Sequence, residues 1–96
     1  MCFPLSDDHK PDNREEKARI EAAGGFVEEN RVNGGLNLSR SLGDFDYKNE
    51  ESCSSNQQMV ICEPEVRSVK RKQNDQFLIL ACDGIWDCLT SEECVE

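Results

Sequence analysis

Residues 77–88 read Phe77-Leu78-Ile79-Leu80-Ala81-Cys82-Asp83-Gly84-Ile85-Trp86-Asp87-Cys88. Apolar residues run from Phe77 to Cys82 with no polar alternation, which predicts a strand buried on both faces. The run ends on Asp83-Gly84, and a second carboxylate, Asp87, follows four residues after Asp83. Charge is costly to bury, so carboxylates at the end of a core strand need a reason. Hard divalent cations supply one, because they take oxygen ligands. A helix-like turn after Gly84, a residue that lets the chain bend sharply, would set Asp87 on the same side as Asp83. Asp83 capping a turn through its own backbone is the ordinary alternative, and spacing alone leaves both open. Trp86, a large aromatic beside this turn, reads as packing.

Outward from this run, Met59 to Cys62 and Val66 to Val69 are strand-like and are broken by Glu63-Pro64-Glu65. Lys70 to Asp75 reads as a turn whose three cations form a solvated edge. Downstream, Thr90 to Glu93 carries a capping-box pattern that starts a helix. The chain reaches Glu96 before three turns are complete, and so short a helix is marginal alone. The expectation is that 96 residues are not the whole domain.

In the N-terminal half, Asp12 or Asn13 can cap a helix with Glu15 and Glu16 near its positive end. Ala18, Ile20, Ala22 and Ala23 give it an apolar face, and Gly24-Gly25 end it. Phe26 to Leu36 reads as a hairpin with Asn30 at its turn, and Asn33-Gly34-Gly35 permits a second turn with positive φ. Leu36 to Asp44 reads as one irregular helical turn. Residues 46–58 are polar throughout and form a surface loop. The start Asp44-Phe45-Asp46 resembles a calcium loop, but Asn49 and Ser55 stand where that loop needs Gly and Glu, so the match fails.

The bulk numbers narrow the partners. Net charge is −9, which argues against nucleic acid, since phosphate binding needs clustered Lys and Arg. No stretch approaches a membrane span. The six cysteines show no C-x-x-C spacing and there is one histidine, so a zinc site reads poorly. Cys82 lies inside the apolar run and behaves as a small hydrophobe. The N-terminus lacks a secretory pattern. Reduced thiols in a cytoplasmic or nuclear protein follow.

Taken together, several segments resemble the metal-dependent protein phosphatases of type 2C. They are Asp8-His9-Lys10-Pro11, Arg19-Ile20-Glu21 with Ala23-Gly24-Gly25, and Arg31-Val32-Asn33-Gly34. They continue as Leu38-Ser39-Arg40, Leu42-Gly43-Asp44-Phe45, Tyr47-Lys48, Glu63-Pro64-Glu65-Val66, and Asp75 to Asp87. Any one block is weak; the ordered set, spanning nearly the whole chain, is specific. It looks closest to the animal-type, single-domain members.

The resemblance implies an α+β fold, a segment of a four-layer α-β-β-α sandwich in which helices flank an antiparallel β-sandwich. It implies a binuclear Mn²⁺ or Mg²⁺ centre whose bridging water or hydroxide attacks the phosphorus of phosphoserine or phosphothreonine in protein substrates. Ions in that role lower the pKa of the water and neutralise charge on the phosphate. By the same resemblance, Asp83 matches a ligand of the binuclear centre and Asp87 a ligand of a weaker third metal. Arg31 falls where the family has an arginine near the cleft, a phosphate-side contact. A hairpin ion pair with Glu28 or Glu29 is the ordinary alternative for Arg31 and the favoured one. Residues 47–58 fall at the family's flap. The family's acid histidine belongs to an Asp-Gly-His-Gly-Gly motif that is absent here, so His9 reads as structural.

Other family features are absent as well: the N-terminal acidic residue, the phosphate-binding arginine and the later Asp-Asn motif. Residues 1–96 therefore read as the central part of a catalytic domain, with N- and C-terminal portions missing, inactive alone and marginally stable. No catalytic residue is assigned. The parent is expected to be a monomer that binds neither nucleic acid nor membrane. The alternative is a catalytically dead short product acting as a regulatory or binding module.

Overall fold

The computed structural model describes residues 1–96, which divide into two compact units, Asp8–Glu65 and Met1–Asp7 with Val66–Glu96. In the first, helix α1 spans Arg14–Ala22 after the N-cap Asn13. Asn13 does not cap through its side chain, which instead donates to the Asp8 carbonyl at 2.6 Å. Gly24 at φ +92° ends the helix, and the Gly25 amide returns to the Ile20 carbonyl at 2.9 Å. The expected alanine face is corrected. Ala18 and Ala22 are exposed, and the buried positions are Glu16, Ile20 and Ala23, spaced i, i+4 and i+7.

The hairpin forms as the pattern predicts. Strands β1 (Val27–Glu28) and β2 (Arg31–Val32) pair antiparallel, Val27 opposite Val32 and Glu28 opposite Arg31. Glu29 and Asn30 both have positive φ, +52° and +58°, the turn that matches strand twist. Asn33 at +52° and Gly34 at +73° make the second turn, closed by the Val32 amide on the Leu36 carbonyl at 2.7 Å. Ile20, Val32 and Val60 form the core, with Val27, Leu36, Tyr47 and Met59 packed against it. Each full burial of such a side chain contributes about 1.5–3 kcal/mol.

Two further expectations are corrected in this unit. Leu36 to Asp44 forms no helical turn; it is irregular, ends on positive φ at Gly43 and Asp44, and bridges in parallel through Arg40 to Ile61. That bridge is also all that forms of the strand expected at Met59 to Cys62, because Ile61 has a partner at one position only. The polar loop holds two 3₁₀ turns, Phe45–Tyr47 and Ser55–Gln57. Gln58 beneath it is buried, its amide donating to the Glu50 and Cys53 carbonyls at 2.8 and 2.9 Å and accepting from the Glu50 amide at 3.0 Å.

The second unit departs most from expectation. Val66 to Val69 and Phe77 to Cys82 make no strand pairing, and Phe77, Leu78 and Leu80 are 64%, 66% and 82% exposed. The physical reason is partnership. A strand buried on both faces needs a ladder on its edges and layers above and below, and no residue of this unit is buried to supply them. The turn before the run does form, with the Asp75 amide on the Lys72 carbonyl at 3.2 Å. Helix α2 (Asp83–Trp86) is a single turn, and helix α3 (Ser91–Val95) starts on the expected capping box between Thr90 and Glu93. The architecture is thus three helices and a two-stranded antiparallel sheet.

Candidate functional site

The two aspartates lie at α2. Asp83 is its first residue after the N-cap Cys82, and the Asp87 amide donates to the Asp83 carbonyl at 2.8 Å, so they stand one helical turn apart. Both are exposed. Trp86 is 36% exposed, and its indole N–H donates to the Ala81 carbonyl at 2.8 Å, tying the turn to the residue before it. The donors are of the right type for Mg²⁺ or Mn²⁺, but hard ions take about six oxygen ligands or more. No third Asp, Glu, His or Cys joins this pair. By themselves these residues do not fit a binuclear centre.

In the Asp8–Glu65 unit, Arg31 is exposed on β2, and its Nη1 donates to the Gly35 carbonyl at 2.7 Å. The ion pair with Glu28 or Glu29 does not form. Arg31 braces the Asn33-Gly34-Gly35 turn instead. His9 Nε2 lies 3.0 Å from Glu65 Oε2, and the His9 carbonyl accepts from Ser39 Oγ at 2.8 Å.

The most developed polar arrangement is one that the sequence reading passed over. Glu16 is 2% exposed and receives Arg40 on both oxygens, Nε on Oε1 at 2.8 Å and Nη2 on Oε2 at 2.9 Å. Arg19 Nη1 lies 3.1 Å from Oε1, and Ser39 Oγ lies 3.0 Å from the same oxygen. The Ser39 hydroxyl has one proton to share between Glu16 and the His9 carbonyl. Both arginines also brace the backbone. Arg19 donates to the Gln58, Ser39 and Met59 carbonyls, and Arg40 donates to the Glu63 carbonyl. Burial pushes the Glu16 carboxyl up, but the hydrogen bonds from Arg40 and Ser39 and the charge of Arg19 outweigh it and hold the group at about 2. The same pairing raises Arg40. An open depression of about 220 Å³ beside Arg40 is lined by His9, Leu42, Cys62 and Pro64. The nearby cation is already committed to Glu16, so the cluster ties chain segments together and leaves no charge for a ligand. One signal marks Glu16 in the sequence: it shares a helix face with Ile20 and Ala23, where a lone carboxylate needs a cationic partner.

Comparison with known proteins settles the ancestry of these residues. The family profile described as Protein phosphatase 2C matches residues 3–96. The chain belongs to the protein phosphatase 2C family. Among its type 2C relatives, Protein phosphatase 2C homolog 2 of Schizosaccharomyces pombe is 56% identical over 93 residues, 97% of this chain and 25% of that protein. Probable protein phosphatase 2C 60 of Arabidopsis thaliana is 51% identical over the whole chain and 27% of its own length. Probable protein phosphatase 2C 4 of Paramecium tetraurelia is 50% identical over 91 residues, 95% of the chain and 30% of its own length. The chain therefore spans between about a fifth and a third of the curated relatives it matches. A crystal structure of a phosphatase from Toxoplasma gondii superposes with a TM-score of 0.60 at 47% identity, covering 62% of this chain and 19% of that one.

Proposed function

We propose that residues 1–96 are the central part of a type 2C catalytic domain, whose whole is a metal-dependent protein serine/threonine phosphatase. The observation that carries this reading is the family match over residues 3–96, with about half of the positions identical to proteins named protein phosphatase 2C. In the whole domain, Phe77 to Cys82 is a core strand of a four-layer sandwich, and residues 47–58 are the flap beside the cleft. Asp83 and Asp87 supply two of the ligands for Mn²⁺ or Mg²⁺, the others coming from segments outside these residues. Arg31 stands on the phosphate side. Substrates are phosphoserine and phosphothreonine proteins met by a monomer in the cytoplasm or nucleus. The isolated 96 residues are inactive, because two carboxylates hold two hard ions weakly.

A graft tests both halves of the proposal. Residues 1–96 alone, with Mn²⁺ and a phosphothreonine peptide, are expected to show no turnover; turnover abolished by Asp83→Asn would overturn the inactivity. The same residues, placed over the matching quarter of the Schizosaccharomyces pombe protein, are expected to give an Mn²⁺-dependent phosphatase. There, Asp83→Asn should cost more than the ~10–100-fold that losing an outer-shell metal partner costs. An active graft indifferent to Asp83→Asn would remove Asp83 from the ligand set.

A further inference from the structure

We propose that the Val66–Asn74 segment is a docking strip for an acidic peptide segment of another protein. Residues 66–74 carry Arg67, Lys70, Arg71 and Lys72 and no acid, in a chain with 20 Asp and Glu and a net charge of −9. Lys70, Arg71 and Lys72 are consecutive and exposed, and none of their side chains makes an ion pair or hydrogen bond. Arg67 does have a partner, donating to Asp7 at 2.7 Å, and anchors the start of the strip.

The nearest downstream acid is arranged so as not to neutralise the strip through a side-chain contact. The Asp75 carboxylate accepts from the Lys72 backbone N–H at 2.7 Å, and the Asp75 amide returns to the Lys72 carbonyl at 3.2 Å. That reciprocal turn fixes the backbone at the end of the run. The Asp75 carboxylate is spent on an amide, and the three cationic heads at 70–72 are left to solvent. An anion arriving there displaces no internal partner.

The class of anion follows from the rest of the chain. A nucleic-acid duplex carries its charge continuously, far beyond the reach of three cations, and needs a wider basic surface than residues 66–74 offer. Lipid headgroup recognition by polybasic segments uses about four to eight cations beside a membrane-binding element. Three free cations in succession, Lys70, Arg71 and Lys72, match a short run of Asp and Glu, a contact that fixes partner choice and association rate.

Fluorescence anisotropy with a fluorescein-labelled oligo-glutamate/aspartate peptide tests this on the whole chain. Saturable binding that weakens with added salt is expected. The triple variant Lys70→Glu, Arg71→Glu, Lys72→Glu should weaken it by about tenfold or more, as three exposed pairs become repulsive. These side chains are exposed and make no hydrogen bond or ion pair, so that variant leaves folding intact. Lys10→Glu, Arg14→Glu, Lys17→Glu makes the same change in net charge elsewhere and should keep most of the affinity. Equal loss in both variants reduces the effect to net charge and overturns the proposal. So does failure to bind the peptide, or tighter binding to duplex DNA or to phosphatidylserine vesicles. Because binding is read without turnover, the outcome is independent of the phosphatase reading.

Discussion

Glu16 shows how one buried carboxylate organises its surroundings. Its two oxygens collect Arg40, Arg19 and Ser39, and through the arginines they reach the carbonyls of Ser39, Gln58, Met59 and Glu63. The cluster therefore joins α1 to chain more than forty residues away. Its carboxyl is held at about 2 in the fold against an ordinary 4.5. A group depressed in this way contributes stability that is complete above pH 4.5 and is lost as pH falls from 4.5 toward 2. The amount is about 3 kcal/mol. Glu16→Gln keeps the shape and removes the charge, leaving Arg40 and Arg19 without their carboxylate. It should destabilise the Asp8–Glu65 unit by about 2–3 kcal/mol at neutral pH. It should also flatten the acid limb of a denaturation series between pH 2 and 4.5, and an unchanged acid limb would remove Glu16 from that role. The one-turn spacing of Asp83 and Asp87 was legible because an i,i+4 interval is a local pattern. The partner of Glu16 was not, because Arg40 is 24 residues away and only the folded chain brings them together.

At the scale of elements, what the sequence predicted well was what closes within a few residues. The α1 C-terminus at Gly24, the Glu29-Asn30 turn, the Asn33-Gly34 turn and the Thr90–Glu93 capping box depend on capping and positive-φ preferences that act over short intervals. The strands at Val66 to Val69 and Phe77 to Cys82 failed for the complementary reason. A strand is completed by its neighbours, and hydropathy reports the burial a segment needs without supplying what covers it. The contact between α1 and the hairpin also depends on a close approach no pattern announces. A Cβ on Gly25 would lie 2.9 Å from Met59 Sδ, 3.0 Å from Asn33 Oδ1 and 3.1 Å from Ile20 Cγ2. Asn33 cannot easily give way, since its Oδ1 already accepts from the Phe26 amide at 3.0 Å. Gly25→Ala should therefore cost about 1–3 kcal/mol by overpacking. Gly25→Ala with Met59→Ala should recover part of that by vacating the sulfur's place. A thermal shift that leaves Gly25→Ala at the wild-type midpoint would show that the junction has slack.

At the scale of the whole molecule, burial is divided unequally between the two units. Every buried residue lies in Asp8–Glu65, where the core of Ile20, Val32 and Val60 is closed by backbone bonds such as Gly25 to Ile20, Val32 to Leu36 and Ile61 to Ser39. Met1–Asp7 and Val66–Glu96 contain no buried residue, and between Val66 and Cys82 the one amide in a backbone bond is Asp75. Amide protection follows the number of bonds that must break together and the apolar surface that must open with them. Hydrogen exchange read by mass spectrometry should therefore place protection in residues 14–36 and 59–61. Residues 66–82 should exchange near the rate of an unstructured chain. Ile20→Ala removes the largest of the fully buried side chains, a loss of about 2–5 kcal/mol. That is comparable to the whole stability of so small a core, so protection in residues 14–36 and 59–61 should disappear as one step rather than residue by residue. Protection of Phe77 to Cys82 matching that of α1 would mean that the apolar run finds partners in solution, and would contradict the exposure of Phe77, Leu78 and Leu80.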